Sequence, residues 1–280
     1  MDRLQAYREF FAGMVTASAG ASTDRELAAA FASTPREQFV GKPPWKIWAG
    51  ARYLEAPSDD PAVLYQDVVV SLGAAKPLNN GQPSLHAMCL AALAPRNGET
   101  AVHVGAGTGY YTTLLAKLVG ATGRVEAYEI EPDLAQRAAG NLAAFSNVAV
   151  HARSGTEAPL PACDLLYVNA GATSPLAVWL DALRSNGRLL FPLTDAGGAG
   201  GMLLIAKKAN GREIYEARFV CQALFVPCEG ARDAETARRL AEALRRNDWS
   251  KVKSLHRDAS PDASCWFSGK DWWLSTRAAQ

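Results

Sequence analysis

The run Gly105-Ala106-Gly107-Thr108-Gly109 joins a β-like stretch, "TAVHV", to a helix-like one, "YYTTLLAKLV". Glycines at such a junction let the main chain come close to a flat ligand. The spacing is GxGxG, and Tyr110 stands where the dinucleotide fingerprint has its third glycine. A side chain of that size obstructs the close helix-to-strand approach used around a pyrophosphate. A P-loop is excluded as well, because no lysine followed by serine or threonine comes after the glycines. A nucleoside without phosphate is left, and S-adenosyl-L-methionine has that chemistry. Its ribose diol requires an acceptor at the end of the following strand, and Glu129 in "RVEAYEIEP" lies there, about 20 residues on. The candidate cofactor-binding residues are therefore Val104, Gly105, Ala106, Gly107, Gly109 and Tyr110 at the turn, with Glu129 and Ile130 at the next strand end.

Such a turn works only where strands and helices alternate around it, and from residue 100 onward they do. "YYTTLLAKLVG" reads as a helix ending at Gly120, "RVEAYEI" as a strand, and "PDLAQRAAGNLAAF" as a helix with proline at its favoured first position. "VAVHA", "CDLLYVNA", "PLAVWLDAL" and "GRLLFPL" continue the alternation, which implies βαβ units and an α/β fold with a mostly parallel sheet. Asn210-Gly211, between two β-like runs, is a hairpin signal. Ahead of this lie two helical patterns, "DRLQAYREFFAGMV" and "TDRELAAAFAS", the second with Thr23 as N-cap and Glu26 at capping-box spacing. Val63 to Leu72, "VLYQDVVVSL", reads as an extended segment. A polar turn, "KPLNNGQP", leads from it to a helix starting just after Pro83. The chain divides into an N-terminal helical segment (1–58), a cofactor-binding core (59–228) and a C-terminal helix with a tryptophan-rich tail (229–280).

In that last helix Ala237, Leu240, Ala241 and Leu244 form an apolar stripe. Its arginine pairs at 238/239 and 245/246 read as a solvated face rather than a nucleic-acid site. The tail carries Trp266, Trp272 and Trp273, whose roles in order of preference are to cap the core, to close over a ligand, or to meet a second copy of the chain in a homodimer.

Composition limits the partners. With 280 residues, 49% hydrophobic and 20% charged, the chain is an ordinary packed protein. Its net charge of +1 gives no footprint for DNA or RNA. The five cysteines are scattered and lack a CxxC pair, so reduced thiols and no metal site are expected. No run of about 18 apolar residues occurs, and "MDRLQAYREFF" carries charges where a signal peptide is apolar. No membrane association and a cytoplasmic location are the expectation.

The segments "FASTPREQFVG", "LYQDVVVSL", "VHVGAGTGYYTTLLAKL", "YEIEPDLAQRAAGNL", "GRLLFPL" and the closing "FVP" resemble, in order, the motifs of protein-L-isoaspartate O-methyltransferases. The likeness covers about residues 30 to 228. It implies a class I methyltransferase, a Rossmann-like doubly wound sheet with helices on both faces, here with N-terminal helices and a C-terminal helical extension. It also implies an S-adenosyl-L-methionine-dependent enzyme and cofactor contacts from Ser154, Gly155 and Asn169. Two positions depart from the pattern. The family has a Thr-Ile-Ser-Gln/Ala-Pro turn whose serine lies at the methyl-accepting site; this chain has Asn79-Asn80-Gly81-Gln82-Pro83. Where the family has Gly-Asp-Gly, this chain has Arg153-Ser154-Gly155, and Ser154 is a weaker, neutral acceptor for an adenine amino group.

His86 falls three residues after Pro83, as a histidine does in some family members; it is divided between a helix-turn role and one at the acceptor site. His103, inside a strand, reads as structural. A carboxylate acceptor is already ionised near neutral pH, so methyl transfer to it needs alignment and no general base. An amine or hydroxyl acceptor needs one, with His86 or Asp67 as candidates. Asn79 and Asn80 are the groups that would donate to an acceptor carboxylate. Asn79, Asn80 and His86 are thus the candidate catalytic residues. The methyl acceptor is a peptide, protein or small molecule. A specialised peptide or natural-product acceptor, with the tail tryptophans as its apolar wall, and a non-catalytic cofactor-binding module are the alternatives.

Overall fold

The structure is a computed structural model that describes residues 2–73, 76–208, 214–257 and 260–279. In chain order the elements are α1 (Arg3–Ser18), α2 (Arg25–Ala32), β1 (Lys46–Trp48), β2 (Tyr53–Glu55), α3 (Pro83–Leu93), β3 (Thr100–Val104), α4 (Tyr110–Val119), β4 (Arg124–Tyr128), α5 (Pro132–Leu142) and β5 (Val148–His151). There follow β6 (Cys163–Val168), α6 (Ala177–Ala182), β7 (Leu183–Thr194), β8 (Ala199–Lys207), β9 (Ile214–Leu224), α7 (Ala234–Arg245), β10 (Ser254–His256), β11 (Cys265–Ser268) and β12 (Trp273–Ser275). They fall into two compact units, one of residues 1–99 and 106–153, the other of residues 100–105 and 154–280. Among the described residues no helix is long and apolar enough to cross a membrane.

In the first unit α1 and α2 are held by their buried faces, with Phe11 and Phe31 edge to face at 6.1 Å. The N-cap of α2 is Asp24, whose carboxylate accepts from Leu27 N at 2.9 Å, one residue beyond the Thr23 of the sequence reading. Aspartate at that place both caps and complements the helix dipole. After α2 the fully buried Arg36 turns inward. Its guanidinium donates to the carbonyls of Leu64, Gln66 and Val68 and lies over the rings of Phe11 and Tyr110.

This shapes the segment expected to be extended from Val63 to Leu72. Residues Pro61–Leu64 form a short 3-10 turn, capped by Asp60, and only the part from Val69 onward pairs as a strand does. Trp48 N donates to Val69 O and Ser71 N to Lys46 O, both at 2.9 Å. Beyond it, Leu72 N donates to Leu78 O and Asn80 N to Val70 O, both at 3.0 Å. The antiparallel β1–β2 pair, with Trp48 opposite Tyr53, is thereby joined through residues 69–71 to the Asn79-Asn80 turn. Helix α3 starts at Pro83, α4 ends at Gly120, and β4 and β5 pair in parallel.

In the second unit the strand order is β11-β12-β10-β9-β8-β7-β6-β3. The β3–β6 and β6–β7 pairs are parallel, as βαβ alternation requires. From β7 on, each described pair is antiparallel: β7 and β8 are joined by a short turn, which can link only antiparallel neighbours, while β9 reaches β10 through α7. The β8–β9 pairing matches the hairpin expected there, while its Asn210-Gly211 turn lies outside the described residues.

The C-terminal extension is helical only in part: α7 is followed by β10, β12 and β11, which lengthen the sheet. Trp266, Trp272 and Trp273 are buried in this addition. On α7 the buried stripe is Ala237, Leu240 and Ala243, slightly rotated from the expected one. Arg238 is exposed and pairs with Glu235. Arg239 and Arg246 instead donate to the carbonyls of Ser268 and Trp266 and lie over Phe267 and Trp266. They hold the tail to the helix, a use that a helical charge pattern alone does not reveal.

Candidate active site

In the first unit the chain enters at Ala106 and makes the glycine turn against β4 and α5. Ala106 N donates to Tyr128 O at 3.1 Å, and Gly109 N to Ala106 O at 2.9 Å. From α5, Asn141 donates to Thr108 O at 2.8 Å. Gly109, with φ +93°, begins α4, and a Cβ there would stand 2.8 Å from Leu142 Cδ1. Only glycine fits both that backbone region and that contact.

Glu129, directly after β4, is buried and turned toward the same loop. Its Oε2 accepts from Gly107 N at 2.6 Å and its Oε1 from Glu131 N at 3.0 Å. Burial pushes the carboxyl's pKa up, against these two main-chain donors that hold it down. Each carboxylate oxygen has a further lone-pair direction, so the group retains capacity for a diol. Ile130 beside it keeps 41% of its surface exposed. These residues fit an adenosine: main-chain groups at a glycine turn, a carboxylate, and an exposed apolar side chain. Tyr110 differs from the rest of the set. Its ring packs with Phe39 at 5.4 Å and Phe31 at 6.5 Å, so its part in holding a ligand belongs to its main chain.

The second unit carries the remaining candidates. Val104 O accepts from Asn169 N at 2.8 Å, and Gly105 lies against the Asn169 main chain. The Asn169 amide is oriented by His103, with Nδ2 and Nε2 2.8 Å apart, while its Oδ1 is buried without a hydrogen-bond partner among the described residues. His103 is fully buried and stacked on Tyr167. Burial holds its pKa down at about 3, so it is neutral and acts as an orienting group. Ser154 Oγ lies 2.7 Å from Thr156 Oγ1 and accepts from Thr156 N at 3.1 Å. Gly155 O accepts from the buried Trp179 Nε1 at 2.8 Å, a tie that the sequence reading did not contain.

The candidate acceptor turn, in the first unit, sorts its two asparagines. Asn79 Oδ1 accepts from Gly81 N at 2.9 Å, and its side chain lies beside the Tyr53 hydroxyl. Asn80 Oδ1 accepts from Val70 N at 3.0 Å, but its Nδ2 is buried with no hydrogen-bond partner among the described residues. Asp67 accepts from Ser84 N (2.7 Å), Ser84 Oγ (2.6 Å) and Gln82 Nε2 (2.8 Å). It caps the start of α3, and its carboxylate is engaged there rather than poised as a base. His86 is buried on α3 and stacked on Tyr111 of α4, with centroids 3.5 Å apart and planes at 12°. Tyr53, Tyr111 and Arg36 complete this neighbourhood. Sequence reasoning gave them no role, although Arg36 sits inside the quoted "FASTPREQFVG".

A family model described as protein-L-isoaspartate(D-aspartate) O-methyltransferase matches residues 15–233. The protein-L-isoaspartate O-methyltransferase of Ignicoccus hospitalis is 28% identical over 207 residues, covering 72% of this chain and 88% of the relative. That of Methylorubrum populi is 35% identical over 184 residues, covering 63% and 81%. Two solved structures share the fold. A protein-L-isoaspartate O-methyltransferase superimposes with a TM-score of 0.67 at 21% identity over 86% of this chain and 69% of that one. A Plasmodium falciparum structure described as the same kind of enzyme, in complex with S-adenosyl-L-homocysteine, gives 0.61 at 18% identity over 79% and 98%. With its glycine turn, its strand-end carboxylate and this match over most of its length, the chain belongs to the protein-L-isoaspartate(D-aspartate) O-methyltransferase family of S-adenosyl-L-methionine-dependent methyltransferases.

Proposed function

We propose that the chain esterifies the carboxylate of isoaspartyl residues in peptides and proteins, with the acceptor held at the Asn79–His86 turn. The observation that carries this reading is the Asn80 amide. A buried donor without a partner costs about 1–3 kcal/mol, and a carboxylate oxygen seated at Nδ2 removes that cost. The engagement of Asp67 at α3 points the same way, since a carboxylate acceptor needs no proton removed whereas an amine or alcohol does.

Ala106 to Tyr110 would hold the cofactor through main-chain groups, Glu129 through its ribose hydroxyls, and Ile130 through apolar contact with its adenine. Val104, Gly105, Ser154, Gly155 and Asn169 are further proposed cofactor-binding residues. The bound cofactor supplies an electrophilic methyl on a sulfonium. The chain's own work is to keep an acceptor oxygen about 3 to 3.5 Å from that carbon and in line with the breaking bond. Bound there, the cofactor would give up that methyl to the carboxylate oxygen and leave as a neutral thioether, the charges of carboxylate and sulfonium cancelling. No proton moves. Loss of charge in the product weakens its hold on Asn80 Nδ2, because hydrogen bonds to ionised groups are the stronger ones.

The tail tryptophans are buried among β-strands, so they offer no apolar wall for a specialised acceptor. The proposal is tested with radiolabelled cofactor and two peptides that differ only in an isoaspartyl or ordinary aspartyl linkage. Base-labile label on the isoaspartyl peptide alone is expected. Equal labelling of both peptides, or label on neither, overturns it.

A further inference from the structure

Gly81 has φ +68°, and a Cβ built on it would stand 2.2 Å from His86 Nε2 and 2.8 Å from His86 Cδ2. No real pair of atoms approaches that closely, so the room a side chain on residue 81 needs is already filled by the imidazole. His86 has little freedom to yield. Only 2% of it is exposed, and one face of its ring lies on Tyr111. Tyr111 is the second residue of α4, two positions after Gly109, and Tyr110 beside it packs against Phe39 and, edge to face, against Tyr111 itself. On the other side, Gly81 is tied by its N–H to Asn79 Oδ1. Asn80, immediately before it, carries the buried amide donor without a partner.

We propose that His86 is a positioning residue, a spacer whose ring edge sets where the Asn79–Gly81 turn stands relative to the start of α4, and that Gly81 lacks a side chain to admit it. The proposal rests on the reading of that turn as the acceptor site. It assigns His86 no proton transfer and no contact with the acceptor. Its effect passes through Gly81 to Asn80 Nδ2, so any side chain at position 81 displaces the turn unless the imidazole is removed as well. Restoring serine at position 81, the residue that the resemblance in sequence suggests, therefore harms this chain instead of improving it.

The experiment compares the parent with Gly81→Ala, His86→Ala and the Gly81→Ala/His86→Ala double variant, measuring kcat and KM on an isoaspartyl peptide, cofactor affinity and thermal unfolding. Gly20→Ala is the control for backbone strain alone, because Gly20 has φ +70° and nothing within 4 Å of a Cβ. Gly81→Ala is expected to lose about a hundredfold in kcat, the scale for a misplaced reactant, with cofactor affinity unchanged and a melting temperature below that of the control, because the clash with the imidazole adds to the backbone strain. His86→Ala alone is slower than the parent, yet the double variant regains at least about tenfold over Gly81→Ala, the non-additivity of residues in contact. Multiplying losses in the double variant, or a Gly81→Ala no worse than the control, overturns the proposal. If the parent methylates no isoaspartyl peptide, the functional reading falls by itself. The melting temperatures then decide the rest: additive shifts refute the packing claim, and coupled shifts keep the packing but refute its acceptor role.

Discussion

Around Ala106–Gly109 the polar groups are tied into the chain: Ala106 N to Tyr128 O, Gly107 N to Glu129, Thr108 O to Asn141, and Gly109 N to Ala106 O. Around Asn79–Gly81 the same kind of turn is left unfinished. Asn79 and one end of Asn80 are bound, and the other end of Asn80 is buried without a partner. A ligand meeting the first turn adds bonds to a frame that stands without it. A ligand meeting the second completes a frame. The first arrangement suits a cofactor common to many enzymes, the second a substrate that must be told from its close isomers, since an unpaired buried group penalises whatever fails to satisfy it.

The strongest way to break this contrast is Glu129→Ala. The carboxylate holds the turn and is proposed to hold the ribose, so on that proposal affinity for S-adenosylhomocysteine should fall about a hundredfold, or about 3 kcal/mol, the upper range for hydrogen bonds to a charged group. Calorimetry checks it. An unchanged affinity places the ribose elsewhere.

A proton tests the orienting group beside Val104. His103 is held neutral in the folded chain down to about pH 3, while an unfolded imidazole takes a proton near pH 6.5. Stability from this source is complete above pH 6.5 and is lost as pH falls toward 3, the unfolded state binding the proton that the folded one refuses. Between pH 7 and pH 4 thermal or urea unfolding should register a loss on the order of 3 kcal/mol from this group, and His103→Asn should flatten that slope. An equal slope in the variant assigns the acid sensitivity to other groups.

The two asparagines give the finest division. Asn80→Ala leaves Val70 N without its acceptor, so a stability loss of about 1–3 kcal/mol should accompany a rise in peptide KM. Asn79→Ala removes the bond to Gly81 N and should cost about 0.5–1.5 kcal/mol, with a smaller change in KM. Equal effects of the two on KM would erase the distinction between the bound amide and the spare one.

The contrast also governs what could be read in the sequence. The glycine turn and Glu129 are local signals: their spacing is dictated by a strand, a turn and a strand in succession, and each residue type follows from one requirement. The Gly81–His86 pairing arises between a turn and the first coils of a helix, through a φ angle and a ring orientation that no residue type announces. Asn79 and Asn80 are the same residue twice, and only the direction of the neighbouring Val70 N–H separates them. The tail was obscure for another reason. β10, β11 and β12 are three or four residues each, too short for alternation to show, and Arg239 and Arg246 follow a solvated pattern while bonding β11 carbonyls. Thr23 and Asp24 are both good caps, and the choice between them came from which carboxylate or hydroxyl faced Leu27 N.

Arg36 binds Leu64, Gln66 and Val68 by their carbonyls, and so ties residues 61–68 to α1 and α2 in time as well as in space. Those residues make few strand bonds of their own, so their amides are protected from exchange only while the guanidinium stays buried under Phe11. They should open and close with the helices as one cooperative block. Asp67 lies inside that block, and the start of α3, which it caps, shares its lifetime. Amide exchange at Tyr65, Val68 and Ser84, whose N–H groups are hydrogen-bonded, should accordingly report a single opening rate, well separated from that of β4 and β5.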